Sequence, residues 1–405
     1  MGRRQLNWVV VYVEEDTGKD FGPFGPGKIR GVGRFEVLFS ATVFSPRMNR
    51  YFFHRDEYEK FYNCSQHTPE KWHSFGRVNI GIAATYTCIG LMFEILYFPC
   101  LYVMASPKFL RLSCYKIMYY LGVIDVLCIV INSLISGYLS YKGAVFCDYP
   151  DLMYIAGGIS TGLWCSACMA CMLLALNRLF DLLKPNWMET LFGGNKTYIW
   201  LLAPVAYGFL FIWREPPLVY SSYHNAAFFD PFTATDKADA ELYTSWAHTI
   251  NNITVIIVLC SAYTSLCVYI LIRGRLANTG ASSSNRHGLS TMQRQIIAQA
   301  SMICGLILIA ATVYVRMQFF ETPGWMIVVG QITWQFSHGG AVFIYLFLNR
   351  SMRREIVKTF FSSGICGSKT SNNVSVTTTT KLNNSKPMFS NSHSNNEGED
   401  ESTRY

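Results

Sequence analysis

Charge is what this sequence has least of. Only 15% of its 405 residues are charged, while 51% are hydrophobic. Soluble domains carry about 25% charged residues. The few charges are gathered into loops and tails, which excludes an ordinary soluble fold and leaves a polytopic membrane protein. Other things are missing too. The opening MGRRQLNWVVVYVEED has too short an apolar run for a secretory signal, so the first membrane helix is expected to serve as its own insertion signal. Leu6 stands where a myristoylation site after Gly2 would need Ser or Thr. No H-E-x-x-H, G-x-S-x-G or dinucleotide fingerprint occurs, so nothing points to an enzyme or a cofactor. The Gly22–Gly27–Lys28 spacing imitates a phosphate loop, but Ile29 replaces the magnesium-binding hydroxyl. Pro23 and Pro26 also lack the N–H groups that cradle phosphate. The net charge of +8 comes without an arginine-rich block carrying interleaved aromatics, so nucleic acid is not an expected partner.

Long uncharged runs are what is there. From Leu152 to Asn177 no side chain is charged, more than the ~20 residues a helix needs to cross a bilayer core. Cys147 precedes this run, and Asn177–Arg178 closes it. Seven spans are predicted, at 78–104, 117–141, 152–177, 197–213, 249–272, 295–316 and 326–348. The loops on one side, from Lys108 and Arg111 to Arg353, Arg354 and Lys358, hold most of the Lys and Arg, against Lys142, Arg214 and Lys237 on the other. That bias puts the N-terminus outside and the C-terminal tail in the cytoplasm. The N-terminal segment is itself basic, with Arg3, Arg4, Lys19 and Lys28, and opposes the rule.

Ionisable groups inside spans are costly and are functional candidates by default. Asp125 lies in the middle of the second span with Asn132 two turns on, a candidate buried polar network. Glu94 either faces the bundle or is protonated beside Tyr97. His338 on the seventh span has no second ligand near it in sequence and reads as a hydrogen-bonded packing residue. Cys165, Cys168 and Cys171 fall on one helical stripe and read as packing, with no metal site implied. Arg178 at the end of its uncharged helix either snorkels to phosphate or forms a latch for a cytoplasmic partner.

Cys147, Leu176–Asn177–Arg178, Asp125 and Trp200 together resemble rhodopsin-like G-protein-coupled receptors. FHRDEYEKFYNCSQHTPEKW (53–72) resembles more narrowly the pre-helix motif of the nematode serpentine chemoreceptors of class T. ILYFPCLYV, SCYKIMYYLGVIDVL, ALNRLFDLL, LFGGNKTYIW, FFDPF and IYLFLNRSMR follow in that family's order, over roughly residues 51–360. The resemblance implies an all-α bundle of seven transmembrane helices with an external N-terminus. It further implies a small environmental ligand outside, a heterotrimeric G protein inside, and residence in the plasma membrane, in sensory cilia. The ligand would lie among the outer halves of spans three, five, six and seven. Arg178, Asn177 and Tyr345 would form the G-protein switch. Departures from the broader receptor class are Asn177 in place of Asp before Arg178, a sixth span without Trp and Pro, and a seventh with Gly339–Gly340 and no Pro. Bending there falls to Gly or Ser. A transporter or ligand-gated channel is the alternative. It fits an odd number of spans with isolated charges less well.

Rhodopsin-like receptors bridge the third helix to the second outer loop, but here that loop, Arg214 to Ala247, has no Cys. On this topology only Cys64 and Cys147 lie outside, where disulfides persist, and they are expected to pair. Asn63–Cys64–Ser65 is also a glycosylation sequon, making Asn63 a candidate. Residues 1–47 are expected to be a poorly ordered extension, with Met48 the candidate true start, and 48–77 an extracellular segment before the bundle of 78–349. Met352, Ile356 and Phe360 share one face of an amphipathic helix at 350–361, which should lie on the bilayer surface. Cys366 is a lipidation candidate, and the Ser/Thr/Asn-rich tail 362–405 is expected to be disordered.

Overall fold

The computed structural model describes residues 47–278 and 291–361. Residues 1–46, with the phosphate-loop imitation, and 362–405, with Cys366, lie outside the described residues. Among the described residues, six helices are long and apolar enough to cross a bilayer: Ile80–Met104, Ser113–Lys142, Pro150–Leu183, Lys196–Arg214, Trp246–Ile272 and Gln293–Phe319. A seventh runs as Gly324–Gly339 and resumes as Ala341–Leu348. These are the first to seventh helices below. All but the first, which starts two residues later than read, overrun the spans read from the sequence, because hydropathy marks only the apolar stretch, whereas the helices continue into polar ends. Asn79 caps the first, its side chain accepting from the Ile82 N–H at 3.1 Å. Gly143, at φ 66°, ends the second in the left-handed conformation. Pro150 opens the third, where its missing N–H is not needed.

The third helix is the centre of the bundle. Its apolar stretch is 67% buried, against 22% for the fifth, whose other faces are left for lipid. The fourth helix lies tight against it, because a Cβ at Gly162 would come within 2.6 Å of the Gly208 carbonyl oxygen. The Ser166 hydroxyl donates to the Pro204 carbonyl at 2.8 Å, and Tyr120 reaches Ser166 at 2.6 Å, so one knot joins helices two, three and four. The second helix widens into a π turn at Val130–Ile135. The seventh is interrupted at Gly339–Gly340, between its two helical segments. The ring of Phe93 sits where a Cβ of Gly339 would be, 2.0 Å from that point.

The two ends of the bundle differ. At one end, three short helices, Arg47–Phe53, Arg55–Tyr62 and Pro69–His73, precede the first helix. Here too the fourth-to-fifth connection folds a β-hairpin, β1 (Val219–Ser221) against antiparallel β2 (Ala226–Phe228), with Tyr220 opposite Ala227. A second aromatic core, including Tyr58, Trp72, Phe146 and Phe232, fills this end. At the Arg178 end, Arg350–Ile356 continues into a π turn at Val357–Phe361. Met352 and Ile356 are buried there, and Phe360 packs 5.5 Å from the ring of Tyr102.

Candidate functional site: a lidded cavity over a polar heart

Beneath the hairpin lies a cavity of about 780 Å³, counting the space at its mouth. Trp164 of the third helix, His248, Thr249 and Asn252 of the fifth, Tyr314 of the sixth and Trp334 of the seventh bound it. Phe228 and Phe229 close it from the hairpin side. The lid is stitched down. The Leu218 N–H donates to the Gly157 carbonyl at 3.3 Å, and the Ser222 N–H to that of Ala144 at 3.1 Å. The Tyr86 hydroxyl donates to the Asn225 carbonyl at 2.8 Å. Gly157 is required here, since a Cβ would lie 2.4 Å from the Leu218 oxygen.

The floor of the cavity leads to the polar heart. The indole N–H of Trp164 donates to Asn252 Oδ1 at 2.9 Å, and its ring meets that of His338 edge-on at 5.9 Å. His338 Nδ1 is 2.8 Å from Asp125 Oδ1, and both side chains are buried. The Tyr97 hydroxyl lies 2.8 Å from Asp125 Oδ2 and 2.8 Å from the His338 carbonyl oxygen. Helices one, two and seven therefore meet around one carboxylate, and Trp164 brings the third against His338. Asn132 is not bonded to it. Two turns, about 10.5 Å of rise, separate the two residues. Asn132 Oδ1 instead accepts from Ser133, and its carbonyl, in the π turn, accepts from Gln331 at 2.9 Å and Gln335 at 3.0 Å. The expected Asp125–Asn132 pair thus resolves into two neighbouring clusters, both tied to the seventh helix. Glu94 lies apart, in a lateral groove with Phe98, Tyr102 and Tyr119, and its Oε1 has no hydrogen-bond partner.

Arg178 does not reach outward along the helix surface. It is 3% exposed and folds back, its Nε donating to Asn177 Oδ1 at 3.1 Å and its Nη1 to Asp181 at 3.2 Å. Asn177 in turn donates to Ser113 Oγ at 3.0 Å. Tyr345 is fully buried, its hydroxyl without a hydrogen-bond partner, and is not bonded to Arg178. Beside them, Asn349 donates to the Tyr115 hydroxyl at 2.7 Å, joining the second helix to the end of the seventh.

At the hairpin end, a disulfide joins Cys64 to Cys147, with Cα atoms 5.6 Å apart. The Trp72 indole donates to the Cys64 carbonyl at 2.7 Å, and Lys237 Nζ to that of Asn63 at 2.9 Å. Asn63 Oδ1 accepts from the Ser65 N–H at 2.7 Å, beside the disulfide. His67 Nε2 lies 3.1 Å from Asp236, and this hydrogen bond holds the Asp236 carboxyl below the usual carboxylate range. Burial pushes the Asp230 carboxyl up, while the Phe232 and Asp239 N–H groups that bond it pull the other way.

Cys165, Cys168 and Cys171 are buried free thiols. Among the described residues no three His, Cys, Asp or Glu side chains are grouped to hold a metal. Sequence reading missed His338 as the partner of Asp125, although two lone ionisable groups in apolar spans are themselves a signal of pairing. It also missed Asp181, whose i+3 spacing from Arg178 was visible. The hairpin left no comparable trace.

A seven-helix bundle with a lidded cavity at one end and a buried Arg at the other is the architecture of a rhodopsin-like receptor. Squid rhodopsin shares the fold, with a TM-score of 0.54 at 15% identity, over 76% of this chain and 88% of its own. A sequence model of the serpentine type 7TM GPCR chemoreceptor Srt matches residues 47–369, and the chain belongs to that family of multi-pass membrane receptors. It is similar to Serpentine receptor class T-55 of Caenorhabditis elegans, 28% identical over 302 residues, which cover 73% of this chain and 79% of that one.

Proposed function

We propose that this chain is a chemosensory receptor of the plasma membrane, with the hairpin end outside. It binds a small molecule in the cavity beneath the hairpin and activates a heterotrimeric G protein at the Arg178 end. The observation that carries this reading is the contact of Trp164 with both the cavity and His338. A ligand that displaces the indole acts on the His338–Asp125 pair, and so on the seventh helix at its Gly339–Gly340 break. Trp164 and Arg178 also share one helix, about 21 Å apart along its axis. A ligand shifts the balance of inactive and active bundles only by its difference in affinity for the two. In the active bundle Arg178 leaves Asn177 and Asp181 and faces the G protein. The test is expression with a G-protein readout, screened against odorants and metabolites, with ion flux recorded in parallel. Arg178→Ala should abolish ligand-driven signalling while surface expression persists. Full signalling from an expressed Arg178→Ala receptor, or ligand-gated current without G protein, would overturn the reading.

A further inference from the structure

The walls of the cavity define the chemistry of what it takes. We propose that its ligand is an uncharged, compact and largely apolar molecule carrying one hydrogen-bond acceptor, which the indole N–H of Trp334 engages. This rests on the reading of the cavity as the ligand site. No Asp, Glu, Lys or Arg lines it. A cation or anion placed there would lose its hydration without gaining a counter-charge, which costs several kcal/mol or more. The charged groups on the surrounding elements are turned to other work. Glu215 accepts from the Ser245 hydroxyl at 2.6 Å, and Arg316 donates to the Glu321 carbonyl at 2.8 Å. Asp125 is held by His338 and Tyr97.

Several of the polar groups in the wall are engaged as well. Asn252 Oδ1 accepts from both Trp164 and Asn251, and the Thr249 hydroxyl donates to the Ser245 carbonyl at 3.2 Å. The His248 ring packs edge-on to Phe229 at 5.2 Å. Trp334 differs from these in being a fully buried donor. It is 2% exposed, and its indole N–H has no hydrogen-bond partner. The same side chain, with Leu218 and Ala227, also borders a smaller cavity of about 310 Å³. The indole thus stands between a roomy aromatic chamber and a narrow annex. A buried donor left unmade costs ~1–3 kcal/mol, which an acceptor on the ligand recovers. Aromatic walls suit a planar apolar body. Ketones, esters and ethers with such a body meet all these conditions.

The test uses purified full-length receptor in nanodiscs and tritiated benzylacetone, with binding to empty nanodiscs subtracted. The competitors share its body: phenylbutylamine as cation, phenylbutyrate as anion, and butylbenzene without an acceptor. Saturable ketone binding is expected. Butylbenzene should compete at least about tenfold more weakly, and the two ions about a hundredfold more weakly. Trp334→Phe should weaken the ketone to the level of butylbenzene while leaving butylbenzene unchanged. Competition by either ion as strong as the ketone's, absence of saturable ketone binding, or unchanged affinity in a folded Trp334→Phe receptor overturns the proposal. The ranking on the native receptor decides the matter even if that variant fails to fold. Ketone binding without nucleotide exchange on any G protein counts against the receptor reading and leaves this inference standing. Exchange driven by a charged ligand in the cavity does the reverse.

Discussion

The hairpin end of the bundle is fastened and the Arg178 end is only latched. At the first, a disulfide, a two-stranded hairpin and backbone hydrogen bonds tie four segments together over the cavity. At the second, the polar contacts between helices are single side-chain bonds, such as Asn177 to Ser113 and Asn349 to Tyr115. Covalent and backbone ties hold one geometry. Side-chain bonds exchange partners at small cost, because each is worth about 1 kcal/mol net. A receptor needs this asymmetry, with a fixed shape where a molecule is recognised and two arrangements of similar energy where the partner is met.

The largest expected effect tests the fastening. Closing a separation of 83 residues is worth ~4 kcal/mol in the chain-entropy model. Cys64→Ser and Cys147→Ser should each lower the melting temperature of the purified receptor by roughly 5–10 °C, and equally, since either removes the same bond. Non-reducing peptide mapping of the surface-expressed protein checks the bond itself. Two free thiols there, or a melting temperature equal to wild type, would break the comparison.

Next comes the polar heart, which joins the two ends. Asp125→Asn keeps the shape and replaces the carboxyl beside His338 with an amide. Leaving one partner of a buried hydrogen-bonded pair unsatisfied costs ~1–3 kcal/mol. The amide still bonds, so about 2 kcal/mol is expected here. Basal or ligand-driven signalling should shift with it. A double-mutant cycle with His338→Gln isolates the pair. Additive effects and unmoved signalling would reduce Asp125 to packing.

The bundle was legible in the sequence because bilayer spanning leaves one-dimensional runs that composition alone reveals. The resemblance picked out Arg178, Asn177 and Cys147 because those residues sit in short local motifs. The pairing of Asp125 with His338 was signalled only by their being lone ionisable groups in apolar spans. It joins positions 213 residues apart, and nothing local sets which face of the seventh helix turns inward. The hairpin was hidden for another reason. Val219–Ser221 and Ala226–Phe228 are three residues each, too short for alternation to register, and they are held by the bundle below. Asp181 was missed with less cause, since its spacing from Arg178 is that of an ordinary helical pair.

A smaller effect probes how closely the lid is fitted. Gly157→Ala places a methyl where the Leu218 oxygen lies at 2.4 Å, so strand β1 must shift. Overpacking of this kind costs ~1–3 kcal/mol. Because Leu218 borders both cavities, ligand potency should fall while Arg178-dependent basal signalling is kept. Dose–response curves at matched surface expression check this. Unchanged potency would mean that the lid is looser than its hydrogen bonds imply.

The smallest effect lies at the rim, where His67 meets Asp236 with a side-chain exposure of 24% and 59%. The Asp236 carboxyl titrates below its ordinary value because His67 bonds it. A depressed carboxyl contributes stability that is fully present above its unfolded value of ~3.9 and is lost as pH falls through the lower folded value. Asp236→Asn should therefore melt slightly below wild type at pH 5, and the gap should narrow as pH falls below the unfolded value of ~3.9. Solvent screens an exposed pair, so the gap should also shrink in high salt, which the disulfide's contribution should not. Melting curves of both proteins at pH 5 and pH 3, each with and without salt, separate the two kinds of fastening. A gap as large at pH 3 as at pH 5 would show that the substituted amide disturbs the loop by its shape, and that the carboxylate plays no part in holding the segment down.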